Sequence, residues 1–415
     1  MPAKSRSAET ERQLEVIRSG IEELIPEDEL VRKLERSIAT GTPLRVKQGF
    51  DPTAPDIHLG HTIGLRKLRQ FQELGHQVVL IVGSYTALVG DPSGRSQTRP
   101  TLTEEAVNAN AQTYLDQFFK VVDKARTEVR WNGEWFKAMS FVDVLRLTSR
   151  FTVARILERD DFSIRFKSGE PISVHELLYP LMQAYDSVVI RADVEIGATE
   201  QKFNLLAGRD IQAAYDVEPQ VILTLPVLEG TDGVRRMSKS LGNYIGIAEP
   251  PKEIYGKVMS LPDKLIVRYF RLATDSTPEE NEEVAQALRG GNANPMTWKK
   301  ALAHRIVRMY HGPTAADFAQ GEFEKQFSRR ELPSDLPTIE LNPGAFRARD
   351  LMMLAFPNQY TGSSAGNLFK QGAVYMNGER VTDVTKELRL GKGPGAEAEI
   401  VVKVGRKIAR VVPRG

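Results

Sequence analysis

The chain of 415 residues contains 41% hydrophobic and 27% charged residues, ordinary values for a globular protein with a sizeable core, and its length suggests about two to four domains. Its formal net charge of +2 does not by itself indicate nucleic-acid binding. The chain has no cysteine, which excludes disulfides and thiolate metal sites and fits a reducing cytoplasm. The first twenty residues have no apolar core of the signal-peptide type, and no apolar run approaches the roughly 18 residues that a membrane-spanning helix needs. We therefore expect a cytoplasmic protein that does not enter the membrane.

The first predicted elements are a strand, a helix and a second strand. Residues 44–50 (LRVKQGF) contain β-branched and aromatic side chains and predict a strand. In residues 61–74 (HTIGLRKLRQFQEL) apolar residues recur every three positions, which indicates an amphipathic helix that Gly75 ends. Residues 77–83 (QVVLIVG) are almost continuously apolar, as in a parallel strand buried on both faces. This order predicts a βαβ unit, whose ligands bind at the carboxyl ends of its strands, beside helix N-termini.

The loop between the first strand and the helix carries two of the six histidines of the chain. Residues 49–61 read GFDPTAPDIHLGH and place His58 and His61 at that helix N-terminus. Such a terminus attracts phosphate, and imidazoles can donate hydrogen bonds to phosphate oxygens. The alternatives are a purely structural loop and metal ligation by the two histidines, although zinc usually needs a third ligand. Phosphate binding is the favoured interpretation, but small nucleotidyltransferases also use such a pair, so it does not define the reaction.

A second signal lies about 180 residues downstream. Residues 232–243 (DGVRRMSKSLGN) place Arg235, Arg236 and Lys239 in a short loop after the apolar, strand-like residues 221–230 (VILTLPVLEG). A solvated basic turn is the alternative interpretation. Mobile cations at the end of a strand suit a polyphosphate leaving group. The two loops are best explained together, as two sides of one nucleotide site.

Polar residues also lie at helical spacing further along. Tyr179, Gln183 and Asp186 occupy positions i, i+4 and i+7 of a helix predicted to start after Pro171, which places them on one face. This face could hydrogen-bond a polar ligand or form a half-buried structural network. Asp91 lies in a strand-end loop, where its carboxylate could meet a ligand ammonium or cap the following turn.

Together these motifs resemble those of class I aminoacyl-tRNA synthetases, and specifically the tyrosyl-tRNA synthetases. The sequence HLGH (58–61), which contains the two histidines, is similar to the HIGH signature of the class. The sequence RRMSKS (235–240) is similar to its KMSKS signature. The stretches GFDPTAPDIHLGH, GDPSG (90–94), YPLMQAYD (179–186) and GATEQKFN (197–204) occur in the order and spacing of the tyrosyl family. The resemblance covers nearly the whole chain, and it implies a Rossmann-like parallel-sheet catalytic domain.

The resemblance also implies a role for each site residue. Asp186 would accept a hydrogen bond from the phenol of tyrosine, and the α-ammonium would be held by Asp91, Tyr179 and Gln183, with Gln201 near the carboxyl end. Glu200 and His61 would face the ribose, whereas Thr53, His58, Arg236 and Lys239 would surround the pyrophosphate. The full set implied for ATP is Gly49, Asp51, His58, Gly60, His61, Glu200, Met237, Ser238 and Lys239. In these roles the two histidines are neither metal ligands nor proton shuttles.

Three residues depart from the family pattern. Lys47 stands where a tyrosine often provides a second partner for the phenol, and we expect it to take that place, directly or through water. Glu200 replaces the usual aspartate of the GxDQ motif, and Arg236 replaces the first lysine of KMSKS. The arginine keeps the charge but is a planar fork rather than a compact ammonium.

The rest of the chain predicts modules that contact RNA. We expect the catalytic domain at residues 1–245, a helical anticodon-contacting domain at 246–330, a proline-rich linker at 331–344, and a small α+β domain at 345–415 that resembles an RNA-binding domain of a ribosomal protein. From residue 341 onward there are 12 Lys and Arg against 6 Asp and Glu, so the near-neutral total conceals a basic C-terminal segment, as expected for RNA contact.

The expected reaction has two steps. Tyrosine and MgATP give tyrosyl-adenylate and pyrophosphate, and the tyrosyl group then passes to tRNA, with no permanently bound cofactor. The family implies a homodimer, for which the sequence shows no patch. The alternatives are a tryptophanyl-tRNA synthetase, which Asp186 disfavours, and an RNA-binding regulator without catalysis, which the presence of Asp91, His58, His61 and Lys239 disfavours.

Overall fold

The computed structural model describes residues 6–52, 56–91, 103–290, 294–325, 336–393, 395–405 and 407–414. The chain divides into two compact units, Met1–Gln320 and Gly321–Gly415, and each is described by itself.

The first unit is built on a six-stranded sheet that is parallel except at one edge. Its strands are β1 (Glu23–Ile25), β2 (Arg45–Phe50), β3 (Gln77–Val82), β4 (Thr127–Trp131), β5 (Val194–Ala198) and β6 (Val221–Leu225). Their order across the sheet is β1-β6-β5-β2-β3-β4, and only β1 pairs antiparallel with its neighbour. The chain leaves β2 for β3 on one side and later returns to β5 on the other. The carboxyl ends of β2 and β5 therefore form the switch point at which such sheets bind ligands.

Sixteen α-helices begin in the described part of this unit. They are α1 (Ala8–Arg18), α2 (Glu27–Thr40), α3 (Leu59–Glu73), α4 (Thr86–Val89), α5 (Glu104–Phe118), α6 (Gly133–Phe136), α7 (Phe141–Thr148), α8 (Val153–Ile156), α9 (Asp160–Ser168), α10 (Tyr179–Ile190), α11 (Lys202–Ala214), α12 (Pro251–Met259), α13 (Ile266–Ala273), α14 (Pro278–Arg289), α15 (Pro295–His311) and α16 (Pro313–Phe323). None of the helices in the described ranges is long and apolar enough to cross a membrane.

The predicted βαβ unit is confirmed as β2, α3 and β3. The β3 residues Val78, Val79, Leu80 and Ile81 are at most 1% exposed, because a parallel strand in the middle of this sheet is covered on both faces. The predicted helices after residue 246 are also present, as α12 to α16. They share one compact unit with the sheet, and α13 packs against α3, so residue 245 does not mark a boundary between compact units.

The second unit is a small α+β domain. It contains β7 (Thr338–Leu341), β8 (Gly344–Arg347), α17 (Ala348–Ala355), α18 (Gly362–Lys370), β9 (Val374–Met376), β10 (Glu379–Arg380), β11 (Glu387–Leu390), β12 (Ile400–Val404) and β13 (Lys407–Pro413). A five-stranded sheet has the order β10-β9-β12-β13-β7, and β11 pairs with β8. Between β9 and β10 the chain turns at Asn377 and Gly378, whose φ values are 52° and 81°.

The predicted linker at residues 331–344 needs a correction. Residues 331–335 lie outside the described residues. Thr338–Leu341, however, form β7, which pairs in parallel with β13 and is therefore part of the C-terminal sheet. The prolines around it suggested a linker, but the partner strand is about 70 residues away in sequence and left no local signal.

Candidate active site

A cleft of about 620 Å³ opens at the carboxyl ends of β2, β3, β5 and β6, a volume typical of small-molecule sites. Fifteen of the seventeen residues predicted from the sequence line it: Gly49, Asp51, His58, Gly60, His61, Asp91, Tyr179, Gln183, Asp186, Glu200, Gln201, Arg236, Met237, Ser238 and Lys239. Of the other two, Thr53 lies outside the described residues and Lys47 does not line the cleft. The cleft thus joins motifs that are up to 190 residues apart in sequence.

The two histidines stack on each other at the start of α3. Their ring centroids are 3.8 Å apart, and the His58 backbone N–H donates to His61 Nδ1 at 3.3 Å. Burial, reinforced by the charges of Lys239 and other neighbours, lowers the pKa of His58 to about 2 and that of His61 to about 4. His58 Nδ1 is buried and has no protein partner among the described residues. Both rings are therefore neutral near pH 7 and can act as hydrogen-bond donors without carrying charge.

The basic loop faces the histidines across the cleft. The Lys239 ammonium donates to the carbonyl of Asp56 and lies 5.8 Å from the centroid of the Tyr114 ring, and burial lowers the pKa of Lys239. Arg236 Nη1 lies 2.6 Å from both carboxylate oxygens of Glu200, so these two predicted nucleotide contacts are paired with each other here.

Asn243 organises this loop, and the sequence motifs did not single it out for that role. Its side-chain oxygen accepts from the Ser238 backbone N–H at 2.8 Å, and its Nδ2 donates to Asp232 and to the carbonyl of Arg236. A Cβ on Gly230 would lie 2.3 Å from this side chain, which explains the glycine there. The only local signal was an amide just after the serines of the motif.

Asp186 lies on the cleft-facing side of α10 with only 3% of its surface exposed. Its carboxylate accepts hydrogen bonds from Trp135 Nε1 at 3.0 Å and Asn132 Nδ2 at 3.5 Å. Burial raises the pKa of Asp186 to about 7, against the opposing effects of the nearby Lys47 charge and these hydrogen bonds. Sequence reasoning missed Trp135 and Asn132, although both follow the carboxyl end of β4, the same edge of the sheet as the other site residues.

Tyr179, at the start of α10, reaches the end of β2. Its hydroxyl donates to Asp51 Oδ2 at 2.7 Å, and Asp51 Oδ1 accepts from Thr86 Oγ1 at 2.7 Å. A Cβ on Gly83 would lie 2.1 Å from Asp51 Oδ1 and 2.3 Å from Thr86 Oγ1. A glycine at the end of β3 is therefore required for this arrangement.

Asp91 is held by Arg159, the residue just before α9, and by Gln201, at the end of a short 3-10 helix after β5. Arg159, which is 4% exposed, lies 3.3 Å from its Oδ1, and Gln201 Nε2 donates to its Oδ2. Arg159 was not predicted as a site residue, because no motif includes it and its partner precedes it by 68 residues. It places a buried cation beside the carboxylate predicted for the substrate ammonium.

The structure gives no support to the expectation that Lys47 takes the place of the missing tyrosine at the phenol, directly or through water, because Lys47 does not line the cleft. Lys47 is fully buried, and it is paired across β2 and β5 with Glu195, its register partner, at an Nζ–Oε1 distance of 2.9 Å. Its ammonium also donates to Ser187 Oγ at 2.7 Å and to the Gln183 carbonyl at 2.8 Å. The physical reason is that a buried ammonium is stable only with a counter-charge, and Glu195 provides that charge in the sheet rather than in the cleft.

The described residues contain no group of three or more His, Asp or Glu side chains that could hold a metal ion. A magnesium ion that arrives on the phosphates of a nucleotide does not need such a cage, because it keeps several waters and is held mainly by phosphate oxygens.

Comparison with known proteins identifies the family of the chain. Residues 39–328 match the family of class I tRNA synthetases for tryptophan and tyrosine. The chain is 51% identical over 404 residues to the tyrosine–tRNA ligase of Moorella thermoacetica, covering 97% of this chain and 96% of that protein. It is 48% identical over 397 residues to the tyrosine–tRNA ligase of Thermotoga maritima, covering 96% of each.

Solved structures show the same fold. The tyrosyl-tRNA synthetase of Archaeoglobus fulgidus, complexed with L-tyrosine, matches with a TM-score of 0.61 at 24% identity, covering 75% of this chain and all of that one. A C-terminally truncated mitochondrial tyrosyl-tRNA synthetase of Aspergillus nidulans matches with a TM-score of 0.61 at 23% identity, covering 78% of this chain and 95% of that one. The chain belongs to the class I tRNA synthetases of the tryptophan and tyrosine group.

Proposed function

We propose that this member of the group is a tyrosine–tRNA ligase, which activates L-tyrosine with ATP and transfers it to the 3′ end of tRNA(Tyr). The observation that carries this function is the single cleft. It is lined by His58 and His61, whose pKa values are lowered, by the cations Arg236 and Lys239, and by the buried carboxyl group of Asp186. The relatives from Moorella thermoacetica and Thermotoga maritima, which share about half of the sequence over nearly its full length, are both tyrosine–tRNA ligases.

In the first step, a carboxylate oxygen of tyrosine attacks the α-phosphorus of ATP. The bond from that phosphorus to the oxygen bridging to the β-phosphorus breaks, and pyrophosphate leaves with the electron pair. No strong base is needed, because the nucleophile is already an anion. Catalysis comes from positioning and from charge directed at the leaving pyrophosphate. Magnesium enters with ATP as part of the substrate.

The phosphate side of the cleft supplies donors from both loops. His58 and His61 donate N–H groups to phosphate and ribose without adding charge, since burial lowers the pKa of both rings. Lys239 and Arg236 provide the positive charge for pyrophosphate, and Arg236 exchanges Glu200 for phosphate when the nucleotide binds. Glu200, released from Arg236, then faces the ribose. Thr53 completes the pyrophosphate contacts, and Gly49, Asp51, Gly60, Met237 and Ser238 contact the adenosine and its phosphates.

The opposite side of the cleft holds the amino acid. Asp186 accepts a hydrogen bond from the phenolic hydroxyl of tyrosine. Trp135 and Asn132 donate hydrogen bonds to the Asp186 carboxylate and hold that carboxylate in place. Asp91, Tyr179 and Gln183 hold the α-ammonium, and Gln201 lies near the carboxylate. Tyr179 shares its hydroxyl with Asp51, so the amino-acid and nucleotide sides are joined through one hydrogen bond.

In the second step, a hydroxyl of the terminal adenosine of tRNA attacks the carbonyl carbon of tyrosyl-adenylate, and AMP leaves. The helices α12 to α16 contact the anticodon region, and the C-terminal unit, with its net charge of +6 from residue 341 onward, binds RNA phosphates. We place this reaction in the cytoplasm, which suits a chain without cysteine.

The working form is a homodimer. Fourteen large hydrophobic side chains are exposed in the described part of the chain, and half of them lie in one stretch, residues 141–174. They are Phe141, Val142, Leu145, Val153, Ile164, Phe166 and Val174, with exposures of 52–79%. Apolar exposure concentrated in this way indicates a protein interface, and a second copy of the chain is the occupant we propose. Ile164→Asp combined with Phe166→Asp should give monomers in light scattering, whereas Met296→Asp, at an exposed site on α15, should leave dimers. A monomeric parent chain would contradict the assignment.

Aminoacylation tests the function directly. The chain, ATP and each amino acid in turn are incubated with unmodified tRNA transcripts of different specificity, and charged tRNA is separated on acid gels. Only tyrosine with tRNA(Tyr) should give charged product at low enzyme concentration. Charging with tryptophan would assign the chain to the other branch of its family, and no charging with any pair would favour a non-catalytic RNA-binding regulator.

A further inference from the structure

Below the floor of the cleft, two amide side chains are held in a row between charged groups. Arg159 Nη1 donates to Asn204 Oδ1 at 3.0 Å, and Asn204 Nδ2 donates to Gln183 Oε1 at 2.9 Å. Gln183 Nε2 then donates to Glu195 Oε1 at 3.1 Å. Asn204 is 1% exposed and Glu195 is fully buried, whereas Gln183 also lines the cleft. This row therefore connects two buried charges through a residue that faces the substrate.

The two ends of the row fix its direction. A guanidinium can only donate hydrogen bonds and an ionised carboxylate can only accept them. If the Gln183 carboxamide were reversed, its oxygen would face the carboxylate of Glu195 and its NH₂ group would face that of Asn204. Both contacts would be lost and replaced by repulsion. The orientation of Gln183 is thus determined by its surroundings before any ligand binds.

This orientation keeps the Gln183 oxygen on the side of the predicted ammonium contacts. Asn204 Nδ2, which donates to that oxygen, also lies 3.5 Å from Gln201 Oε1, and Gln201 Nε2 donates to Asp91. A carbonyl oxygen has two lone pairs, and the contact from Asn204 uses one of them. Gln183 Oε1 can therefore accept a second donor beside Asp91, as an ammonium with three N–H groups requires.

Lys47 is the counter-charge that permits an ionised Glu195 at this depth. Both residues are fully buried, and Lys47 Nζ lies 2.9 Å from Glu195 Oε1. The other carboxylate oxygen accepts from Ser187 Oγ at 3.2 Å and from Gln220 Nε2. A Cβ on Gly208 would lie 2.3 Å from Gln220 Nε2, so the glycine makes room for this contact. Removing one partner of such a pair would leave an uncompensated buried charge.

We propose that Lys47 and Glu195 are positioning residues that fix the Gln183 carboxamide with its oxygen available to the substrate, and so select amino acids by their α-ammonium group. The proposal rests on the assignment of Gln183 to the ammonium in the proposed function. It places the effect of Lys47 at the amino-acid end of the substrate, not at the phenol. The competing effect is electrostatic, because the Lys47 charge also acts on the pKa of Asp186.

The test compares two ligands that differ only in the ammonium group, L-tyrosine and 3-(4-hydroxyphenyl)propionate. Their dissociation constants are measured by calorimetry on the full chain and on Lys47→Met, Glu195→Gln, the double variant and Gln183→Ala. In the parent chain L-tyrosine should bind more tightly than 3-(4-hydroxyphenyl)propionate. In Lys47→Met and in Glu195→Gln, the ratio of the dissociation constant of 3-(4-hydroxyphenyl)propionate to that of L-tyrosine should fall by roughly 10–100-fold. This is the scale of a hydrogen bond to a charged group. The tyrosine/phenylalanine ratio in pyrophosphate exchange should stay within about twofold in Glu195→Gln, because this change removes a charge that raises the pKa of Asp186 and so leaves its carboxylate available to the phenol.

The double variant separates positioning from stability. It leaves no unpaired buried charge, so its thermal stability should recover toward that of the parent. Its ammonium preference should stay low, because a carboxamide at position 195 can donate or accept and no longer dictates the orientation of Gln183. Should Lys47→Met fail to fold, Glu195→Gln and the double variant decide the outcome in the same way.

Three results would overturn the proposal. An unchanged ammonium preference in the pair variants, with a reduced preference in Gln183→Ala, would remove the positioning role and leave the Gln183 assignment intact. An unchanged preference in Gln183→Ala would remove that assignment, and the proposal with it. A collapse of the tyrosine/phenylalanine ratio in Lys47→Met, with the ammonium preference retained, would place the action of Lys47 at the phenol.

Discussion

Three side chains of the cleft, those of His58, His61 and Asp186, have shifted pKa values that determine its charge. Burial lowers the pKa of His58 to about 2 and that of His61 to about 4, so both rings are neutral near pH 7. Burial raises the pKa of Asp186 to about 7. Positive charge at the nucleotide side therefore comes from the basic loop rather than the imidazoles, and the carboxylate assigned to the phenol changes its charge close to physiological pH.

The pH dependence of tyrosine activation follows from Asp186. A raised pKa means that its carboxyl group becomes protonated in the unliganded protein as the pH falls through about 7, and the neutral group is a poorer acceptor. The kcat/KM of pyrophosphate exchange with tyrosine should therefore fall below about pH 7. This fall in kcat/KM at low pH should be absent in Asp186→Asn. His58 and His61 cannot cause it, because their pKa values are lowered far below this range. An identical fall in Asp186→Asn would contradict this explanation.

Lys239 should act on the leaving group and not on tyrosine. Lys239→Ala removes one donor directed at developing charge, and such a loss typically costs roughly 10²–10³ in rate. Single-turnover formation of tyrosyl-adenylate should slow by about that factor, while the dissociation constant of tyrosine in the absence of ATP stays nearly constant. Lys257→Ala, at a lysine paired with Glu249 outside the cleft, is the matched control and should leave the rate close to that of the parent. An equal loss of tyrosine affinity and rate would place Lys239 in the amino-acid site.

At the scale of elements, the parts of the site that a local pattern encodes were predictable. The strand β2, helix α3 and strand β3 follow from apolar periodicity, and the spacing of Tyr179, Gln183 and Asp186 puts all three on the cleft side of α10. What could not be predicted are the non-local pairs. Lys47 meets Glu195 only because β2 and β5 are neighbours in the sheet, 148 residues apart in sequence. Arg159 reaches Asp91 through the folded chain in the same way, and neither pair leaves a sequence motif.

The turn after β3 has a sharp steric requirement that can be tested. Gly83→Ala would place a methyl group 2.1 Å from Asp51 Oδ1 and so displace the carboxylate that Tyr179 contacts. We expect a loss of about 1–3 kcal/mol in the free energy of unfolding, the usual cost of overpacking, together with a reduced kcat/KM for exchange. Gly256→Ala is the control, because its Cβ on α12 meets nothing within 4 Å, and it should stabilise the protein by up to about 1 kcal/mol. Equal behaviour of the two variants in urea denaturation would show that the crowding around Gly83 relaxes without cost.

At the scale of the whole molecule, we expect the first compact unit to carry out the chemistry of both steps and the second to bind tRNA. All residues that line the cleft lie in the first unit, whereas the basic segment forms most of the second. Because β7 belongs to the C-terminal sheet, a cut near residue 342 would leave a strand without its partner. A shortened chain is better ended at Lys325, just after α16.

A chain that ends at Lys325 should keep pyrophosphate exchange within a few-fold of the parent but charge tRNA poorly. The removed segment, residues 326–415, contains 14 Lys and Arg against 9 Asp and Glu, a net charge of +5, and phosphate contacts by Lys and Arg dominate the affinity for nucleic acids. Raising salt should therefore weaken tRNA binding steeply in the intact chain and less in the shortened one. Circular dichroism provides the control for folding. Full charging by the shortened chain at physiological salt would show that the second unit does not anchor tRNA.

The most direct test of the central claim, that this cleft activates tyrosine, is ATP–pyrophosphate exchange measured separately with each of the twenty amino acids. Tyrosine should support exchange, and tryptophan should not. Phenylalanine should be slower by roughly 10⁴–10⁵, a range whose upper end comes from a tyrosyl-tRNA synthetase and reflects the cost of leaving a buried hydroxyl partner unpaired. Exchange that depends on another amino acid, or no exchange with any of them in a chain shown to be folded, would contradict the account.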